Sequence, residues 1–293
     1  MKTALIATGG TVAWDDENGR TLTGADLAAR AQVSFDEVID LEAKPSWDLS
    51  LTDLEAIARR ACSAIDEGAD GVVVLHGTDT LEESAWLTEL ILGAERRDAA
   101  AVLFTGAMRF AGHPGADGPG NLAQAVDACR KSVGRGLGVQ IAFAGRLHAA
   151  RWAVKTDAGA LDAFDSNGRP PTASPPPPST GVLDSAVALL KVGSVYAPPI
   201  PEGVHGLVLE GTGASHVPSS YHAALNELLS SGVPVALASR ARDVDRASDT
   251  HDPFLRAGDL TAEKAALALM VALGEEQDLP AVREWWRRLH ASR

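Results

Sequence analysis

The residues with the most chemical promise lie in two short hydroxyl-bearing turns. An apolar run over residues 3–7 empties into Thr8-Gly9-Gly10-Thr11, and a second, over residues 71–75, empties into His76-Gly77-Thr78-Asp79-Thr80, followed by Glu82 and Glu83. Glycine lets the backbone turn tightly and lets a ligand come close to it. A threonine hydroxyl attacks an electrophile once a base takes its proton, and a carboxamide becomes a usable electrophile once fixed donors meet its oxyanion. Each turn alone has a blander reading. The first also fits a nucleotide loop or a plain turn, although the Gly-x-Gly-x-x-Gly fingerprint is absent. The second fits helix capping, in which Thr and Asp satisfy orphan N–H groups. Their pairing shifts the balance, because both turns fall at the carboxyl edge of one sheet, where open parallel sheets bind ligands.

The elements that must position these turns follow from hydrophobic period. Unbroken apolar, β-branched runs at residues 3–7, 71–75, 101–105 and 138–142 predict strands buried on both faces. Residues 52–67, with Thr52 as N-cap, and residues 81–92, after Thr80, carry helical spacing and read as crossover helices. The alternation predicts an α/β fold with a mostly parallel sheet flanked by helices. Composition changes sharply from Ser166 to Gly181, a segment that includes the run Pro175, Pro176, Pro177, Pro178 and reads as a stiff linker. Beyond it, strands near 187–192, 206–209 and 234–238 and helices near 219–230, 261–273 and 280–290 predict a smaller α/β unit. The expected organisation is therefore an N-terminal domain over 1–165, a linker over 166–185 and a C-terminal domain over 186–293.

Composition narrows the function classes. With 26 Lys and Arg against 39 Asp and Glu, the net charge of −13 disfavours the broad phosphate contacts of nucleic-acid binding and favours a small-molecule substrate. No run approaches the roughly 20 apolar residues of a membrane span. The first residues enter a strand at once, leaving no room for a secretory leader, so the expectation is cytoplasmic. Cys62 and Cys129 lie outside any metal-ligand spacing, and no spaced His pair suggests a metal, so neither metal nor cofactor is expected. His113 and His148 receive no role.

Ala7-Thr8-Gly9-Gly10-Thr11 and His76-Gly77-Thr78-Asp79-Thr80 together resemble the two signatures of the bacterial-type L-asparaginase/glutaminase family, in order and in separation. Thr105-Gly106-Ala107-Met108-Arg109 and Ala116-Asp117-Gly118-Pro119-Gly120-Asn121-Leu122 are similar to two further family segments. The resemblance is strongest over residues 1–165 and rests on element order beyond. It implies that Thr11 is the nucleophile and that Thr78, Asp79 and Lys155 form a supporting triad with Lys155 as base. Lys155 is taken from Arg151-Trp152-Ala153-Val154-Lys155-Thr156-Asp157. It further implies that Ser46, in Pro45-Ser46-Trp47-Asp48, holds the substrate α-carboxylate, that Asp79 holds the α-ammonium, and that the Ala107 carbonyl receives the carboxamide. The implied working form is a homodimer or homotetramer whose sites a partner's C-terminal domain completes.

Four departures from the family bear on specificity. The lid tyrosine is missing, since the only tyrosines are Tyr196 and Tyr221; the lid over residues 14–24 offers Asp15, Asp16, Glu17, Arg20, Thr21 and Thr23 instead. Trp47 stands where many members read the α-amino group with glutamine, and an indole N–H cannot accept a hydrogen bond. No clear counterpart of the family's second-domain asparagine occurs in Gly211-Thr212-Gly213-Ala214-Ser215-His216, where Ser215 and His216 are the candidates for its place. The acid supplied by a neighbouring subunit falls among Asp243, Asp245, Asp249 and Asp252 without a single assignment. An atypical amide, a blocked amino acid or slow asparaginase activity is consistent with fewer partners for the α-ammonium. The competing readings are a non-catalytic module that binds an acidic amino acid, which the intact Thr11, Thr78, Asp79 and Lys155 oppose, and a subunit of a tRNA-dependent amidotransferase. The acidic charge, and a sequence starting at its first strand with no added docking module, oppose the latter.

Overall fold

The computed structural model describes residues 1–241, 252–276 and 278–291. The protein divides into two compact units, Met1–Ala173 and Ser174–Arg293.

In the first unit the strands are β1 (Thr3–Ala7), β2 (Trp14–Asp15), β3 (Arg20–Thr21), β4 (Glu37–Asp40), β5 (Gly71–Leu75), β6 (Ala101–Thr105), β7 (Val139–Phe143), β8 (Arg146–Ala149), β9 (Val154–Lys155) and β10 (Phe164–Asp165). The helices are α1 (Gly24–Arg30), α2 (Leu51–Asp66), α3 (Leu81–Leu92), α4 (Ala94–Ala99) and α5 (Gly118–Ser132). The main sheet runs β4-β1-β5-β6-β7-β8, parallel except for β8, which returns antiparallel to β7. From β1 the connection leads to β4 on one side, whereas from β5 it leads to β6 on the other. The order therefore reverses between β1 and β5. That reversal opens a crevice at the carboxyl ends of those two strands, where open α/β sheets take their ligands.

Side chains alternate across the sheet. Leu5, Val73, Leu75 and Leu103 join Leu27 and Ala28 of α1 and Leu122, Ala125 and Val126 of α5 in one core. Helices α2 and α3 pack on each other and against the sheet strands. In α2 the buried positions Leu54, Ile57, Ala58, Ala61 and Ile65 repeat at three and four residues, as an amphipathic helix requires. Its N-cap is Ser50, not Thr52: the Ser50 hydroxyl accepts from the Asp53 N–H, and the Asp53 carboxylate accepts from the Ser50 N–H. A capping box satisfies two orphan donors at once, which is why the N-cap lies two residues earlier than expected. The buried Arg97–Glu89 ion pair anchors the far end of the unit. Glu89 also accepts from the Val139 N–H, and Arg97 donates to the Gly136 and Ala173 carbonyls.

The second unit carries a four-stranded parallel sheet, β11 (Val187–Lys191), β12 (Gly206–Gly211), β13 (Val235–Ser239) and β14 (Leu255–Arg256), in sequential order. Helix α6 (His222–Ser230) shares a core with one sheet face through Leu225, Leu207, Leu209, Val235 and Leu237. Helices α7 (Ala262–Glu275) and α8 (Leu279–Ala291) follow, with α7 packed on the sheet and α8 on α7. Among the described residues no helix is long and apolar enough to cross a membrane.

Candidate active site

The two glycine turns meet backbone to backbone. A Cβ added to Gly10, whose φ is +82°, would lie 2.6 Å from the Gly77 Cα, and one added to Gly77 would lie 2.6 Å from the Ser46 Oγ. Only residues without a side chain let the turn after β1, the turn after β5 and the Ser46 segment close on one point. The Thr8 hydroxyl donates to the Leu75 carbonyl at 3.1 Å and is spent on the sheet. Thr11, at the start of a 3-10 turn, lines a cleft of about 290 Å³ with Gly10, Gly77, Ser46 and Trp47.

Beside that cleft the structure gathers Thr78, Asp79 and Lys155. Lys155 Nζ donates to Thr78 Oγ1 at 2.8 Å and to Asp79 Oδ1 at 2.5 Å, and its own N–H donates to Glu82 at 3.1 Å. Lys155 reaches this point from β9, which the short antiparallel strand β10 supports. Capping does not account for the second turn, because α3 has no side-chain cap bond. Thr80 instead donates to the Ser46 carbonyl at 2.9 Å, and Ser46 Oγ accepts from the Asp79 N–H at 3.1 Å. Ser46 is thereby fixed to the same turn as Thr78 and Asp79.

Ala107 stands apart. It is buried and does not line the cleft; it packs instead where a Cβ on Gly118 would approach it at 3.4 Å. The Asp117 carboxylate accepts from the Met108 and Arg109 N–H groups, and the Asn121 amide donates to the Gly106 carbonyl. The Ala116–Leu122 segment thus holds the shape of the Gly106 turn.

Of the six lid residues named from sequence, only Thr21 lines the cleft. The buried Asp15 accepts from Asn18 and from Arg30, which hold its carboxyl below the usual carboxylate range, and Thr23 caps α1 with Asp26. Trp14, Lys44 and Phe110 also line the cleft, and sequence reasoning missed them as wall residues. They come from strand β2 and two separate loops, so spacing gave no signal that they converge. Asp243, Asp245 and Asp249 lie outside the described residues. Asp252 is paired with Arg256 at 2.6 Å. Ser215 and His216 sit in a turn after β12, closed by a bridge between Thr212 and His216. Among the described residues no group of His, Cys, Asp or Glu side chains is arranged to hold a metal ion.

The imidazole of His76 is fully buried directly behind the second turn. Its Nδ1 lies 2.7 Å from the Gly77 carbonyl, which can only accept, so Nδ1 carries the proton and Nε2 accepts from Ser84 Oγ at 2.9 Å. Desolvation pushes its pKa down to about 4, and that of His148, bonded to Ser166, also to about 4. A neutral buried His resists the proton that the unfolded protein takes near pH 6.5. Stability is therefore full above pH 6.5 and falls as pH drops toward 4, by about 3 kcal/mol for His76, with His148 adding in the same sense. Urea denaturation at stepped pH is expected to show this fall; a midpoint constant between pH 6.5 and 4 would rule it out.

Comparison with known proteins places this geometry. Residues 2–178 match the model of the asparaginase N-terminal domain, and residues 194–286 match that of the glutaminase/asparaginase C-terminal domain. An L-asparaginase of Bacillus licheniformis is 29% identical over 94% of this chain and 97% of its own length. A glutamyl-tRNA(Gln) amidotransferase subunit of Halobacterium salinarum is 29% identical over 96% of this chain and 77% of its own. The crystal structure of a probable cytoplasmic L-asparaginase from Campylobacter jejuni superposes with a TM-score of 0.80 at 26% identity, covering 98% of this chain and 99% of that one. With both domain models matched in order and the two signature turns joined at one crevice, the chain belongs to the asparaginase family.

Proposed function

We propose that this amidohydrolase cleaves the side-chain amide of L-asparagine, or of a closely related amide, to the acid and ammonia through a threonine nucleophile. The observation that carries the reading is the placement of Lys155 Nζ between Thr78 Oγ1 and Asp79 Oδ1, on the turn whose Gly77 abuts Gly10 of the Thr11 turn. Thr11 attacks the carboxamide carbon, the C–N bond breaks, nitrogen leaves as ammonia, and the oxygen of water ends in the product carboxylate. Lys155 draws the proton through the Thr78 hydroxyl, and Asp79 holds the amine in line. Ser46 takes the substrate carboxylate and Trp47 covers the amino end; the Ala107 carbonyl, to which the resemblance assigns the carboxamide, stands outside the lining of the cleft. No cofactor or metal enters.

The test is ammonia release by the purified protein over asparagine, glutamine, their D forms and N-acylated derivatives. Release from at least one side-chain amide supports the reading, and none from any ends it. Ser46→Ala is expected to raise KM about tenfold with kcat nearly unchanged, as loss of one hydrogen bond to a charged group does when it acts equally on bound substrate and transition state. Steady-state kinetics with the preferred amide checks this; a fall in kcat with KM constant would move Ser46 out of substrate holding.

The amidotransferase relative favours a second reading, in which the same hydrolysis supplies ammonia to a charged tRNA. The net charge of −13 gives little support for docking RNA. A gel shift with tRNA distinguishes the two. The two free, buried thiols fit a reducing compartment, and we place the enzyme in the cytoplasm. Val195 and Tyr196, 82% and 60% exposed, are apolar surface that a homodimer or homotetramer would cover.

A further inference from the structure

The wall of the cleft suits a substrate larger and less polar than a free amino acid. Among the described residues the exposed tryptophan and phenylalanine side chains are Trp14, Trp47 and Phe110, and all three line this one cleft. They come from the lid hairpin, the Ser46 segment and the loop after β6, so no local pattern of sequence groups them. Aromatic faces left in water around a pocket are what an aromatic or apolar ligand group stacks against. The volume of about 290 Å³ falls just below that of pockets that enclose drug-sized ligands, on the order of 300–1,000 Å³, and exceeds what a free amino acid fills.

The charged groups point the same way. Lys44 is the charged residue in the lining, and its ammonium is held by Glu42 at 3.1 Å and Asp53 at 3.0 Å. Asp79, to which the resemblance assigns the substrate ammonium, is not in the lining, and Lys155 engages its Oδ1. A free α-ammonium lying on the aromatic wall would meet cation–π attraction there but no carboxylate of that wall, whereas a neutral ring stacks on the same faces and needs no counter-charge. Acylation removes this charge and turns the nitrogen into an amide. The indole N–H of Trp47 is then a donor with a carbonyl to meet.

We propose that the cleft takes an asparagine whose α-nitrogen carries an apolar, ring-bearing acyl group, with the ring lying among Trp14, Trp47 and Phe110. The bond cleaved is unchanged: the C–N bond of the carboxamide breaks, nitrogen leaves as ammonia, water supplies the oxygen of the new carboxylate, and the N-acyl group stays on the product. The proposal rests on the amide-hydrolase reading above.

The experiment compares ammonia release from N-benzoyl-L-asparagine and from L-asparagine by the wild-type protein and by Trp47→Ser and Phe110→Ser. The expected result is a kcat/KM at least about tenfold higher for the benzoyl compound, with that preference falling about tenfold in either variant, the size of effect that loss of one apolar contact gives. Thermal melting confirms that the variants fold. Turnover of asparagine with the benzoyl compound equal or slower overturns the proposal and leaves amide hydrolysis standing. A preference that neither variant changes takes the acyl group away from this wall. Release from neither compound, nor from any other amide, removes the hydrolase reading itself and the proposal with it.

Discussion

Thr11→Ala is expected to cut ammonia release by at least about a hundredfold while the protein folds as before. The loss follows from the chemistry, since no other hydroxyl at the first turn is available: Thr8 already donates to the Leu75 carbonyl. Folding survives because Thr11 lies half-buried at the start of a single 3-10 turn, outside the core that Leu5, Val73 and Leu103 form with α1 and α5. Initial-rate assays with the preferred amide, beside thermal melts of both proteins, check the two halves together. Undiminished ammonia release by the variant would remove Thr11 from the mechanism.

Lys155→Met is expected to have an effect of similar size, on the order of a hundredfold to ten-thousandfold, the range for removal of a general base. Methionine keeps the length and the apolar stem but deletes the nitrogen that Thr78 and Asp79 share. The backbone bond from residue 155 to Glu82 needs no side chain at that position and persists. Asp79, whose side chain is 45% exposed, falls back on water for solvation, so the stability cost is small. The rate is read from ammonia release at saturating substrate, with a circular dichroism melt for folding. A variant within a few-fold of wild type would show that the lysine only braces the turn.

Legibility of the fold in the sequence followed burial. Strands β1, β5 and β6 were legible to the residue because both sheet faces are covered and their sequences are apolar without a break. Strand β4, of sequence Glu-Val-Ile-Asp, sits at the sheet edge with alternating half-exposed positions and carries too little apolar signal to declare itself. Helix α5 begins in Gly118, Pro119 and Gly120, residues that read as a turn, and Pro119 is tolerated only because the first helical N–H groups need no partner. The two-residue strands of the lid have no period to detect. The capping alternative for Thr78 and Asp79 was settled only by geometry, since both side chains face Lys155 and not the start of α3.

The site shows the same division. Thr11, Thr78 and Asp79 lie in turns whose glycines advertise close approach, so a chemical role for them could be proposed before any coordinates. Lys155 was legible only through a resemblance, since a lone lysine carries no pattern. Trp14, Lys44 and Phe110 were not legible as a wall, because segments from three parts of the sequence meet only where the strand order reverses between β1 and β5.

A double-mutant cycle on Thr11 and Lys155 puts the central claim, that both act on one carboxamide as a unit, to its most direct test. Groups that work together show strongly non-additive losses. Ammonia release by Thr11→Ala, Lys155→Met and the double variant, in an assay sensitive below about one ten-thousandth of the wild-type rate, is expected to leave the double variant within about tenfold of the slower single variant. A double variant slowed by the full product of the two single losses would mean that the two side chains act independently, and would contradict the account.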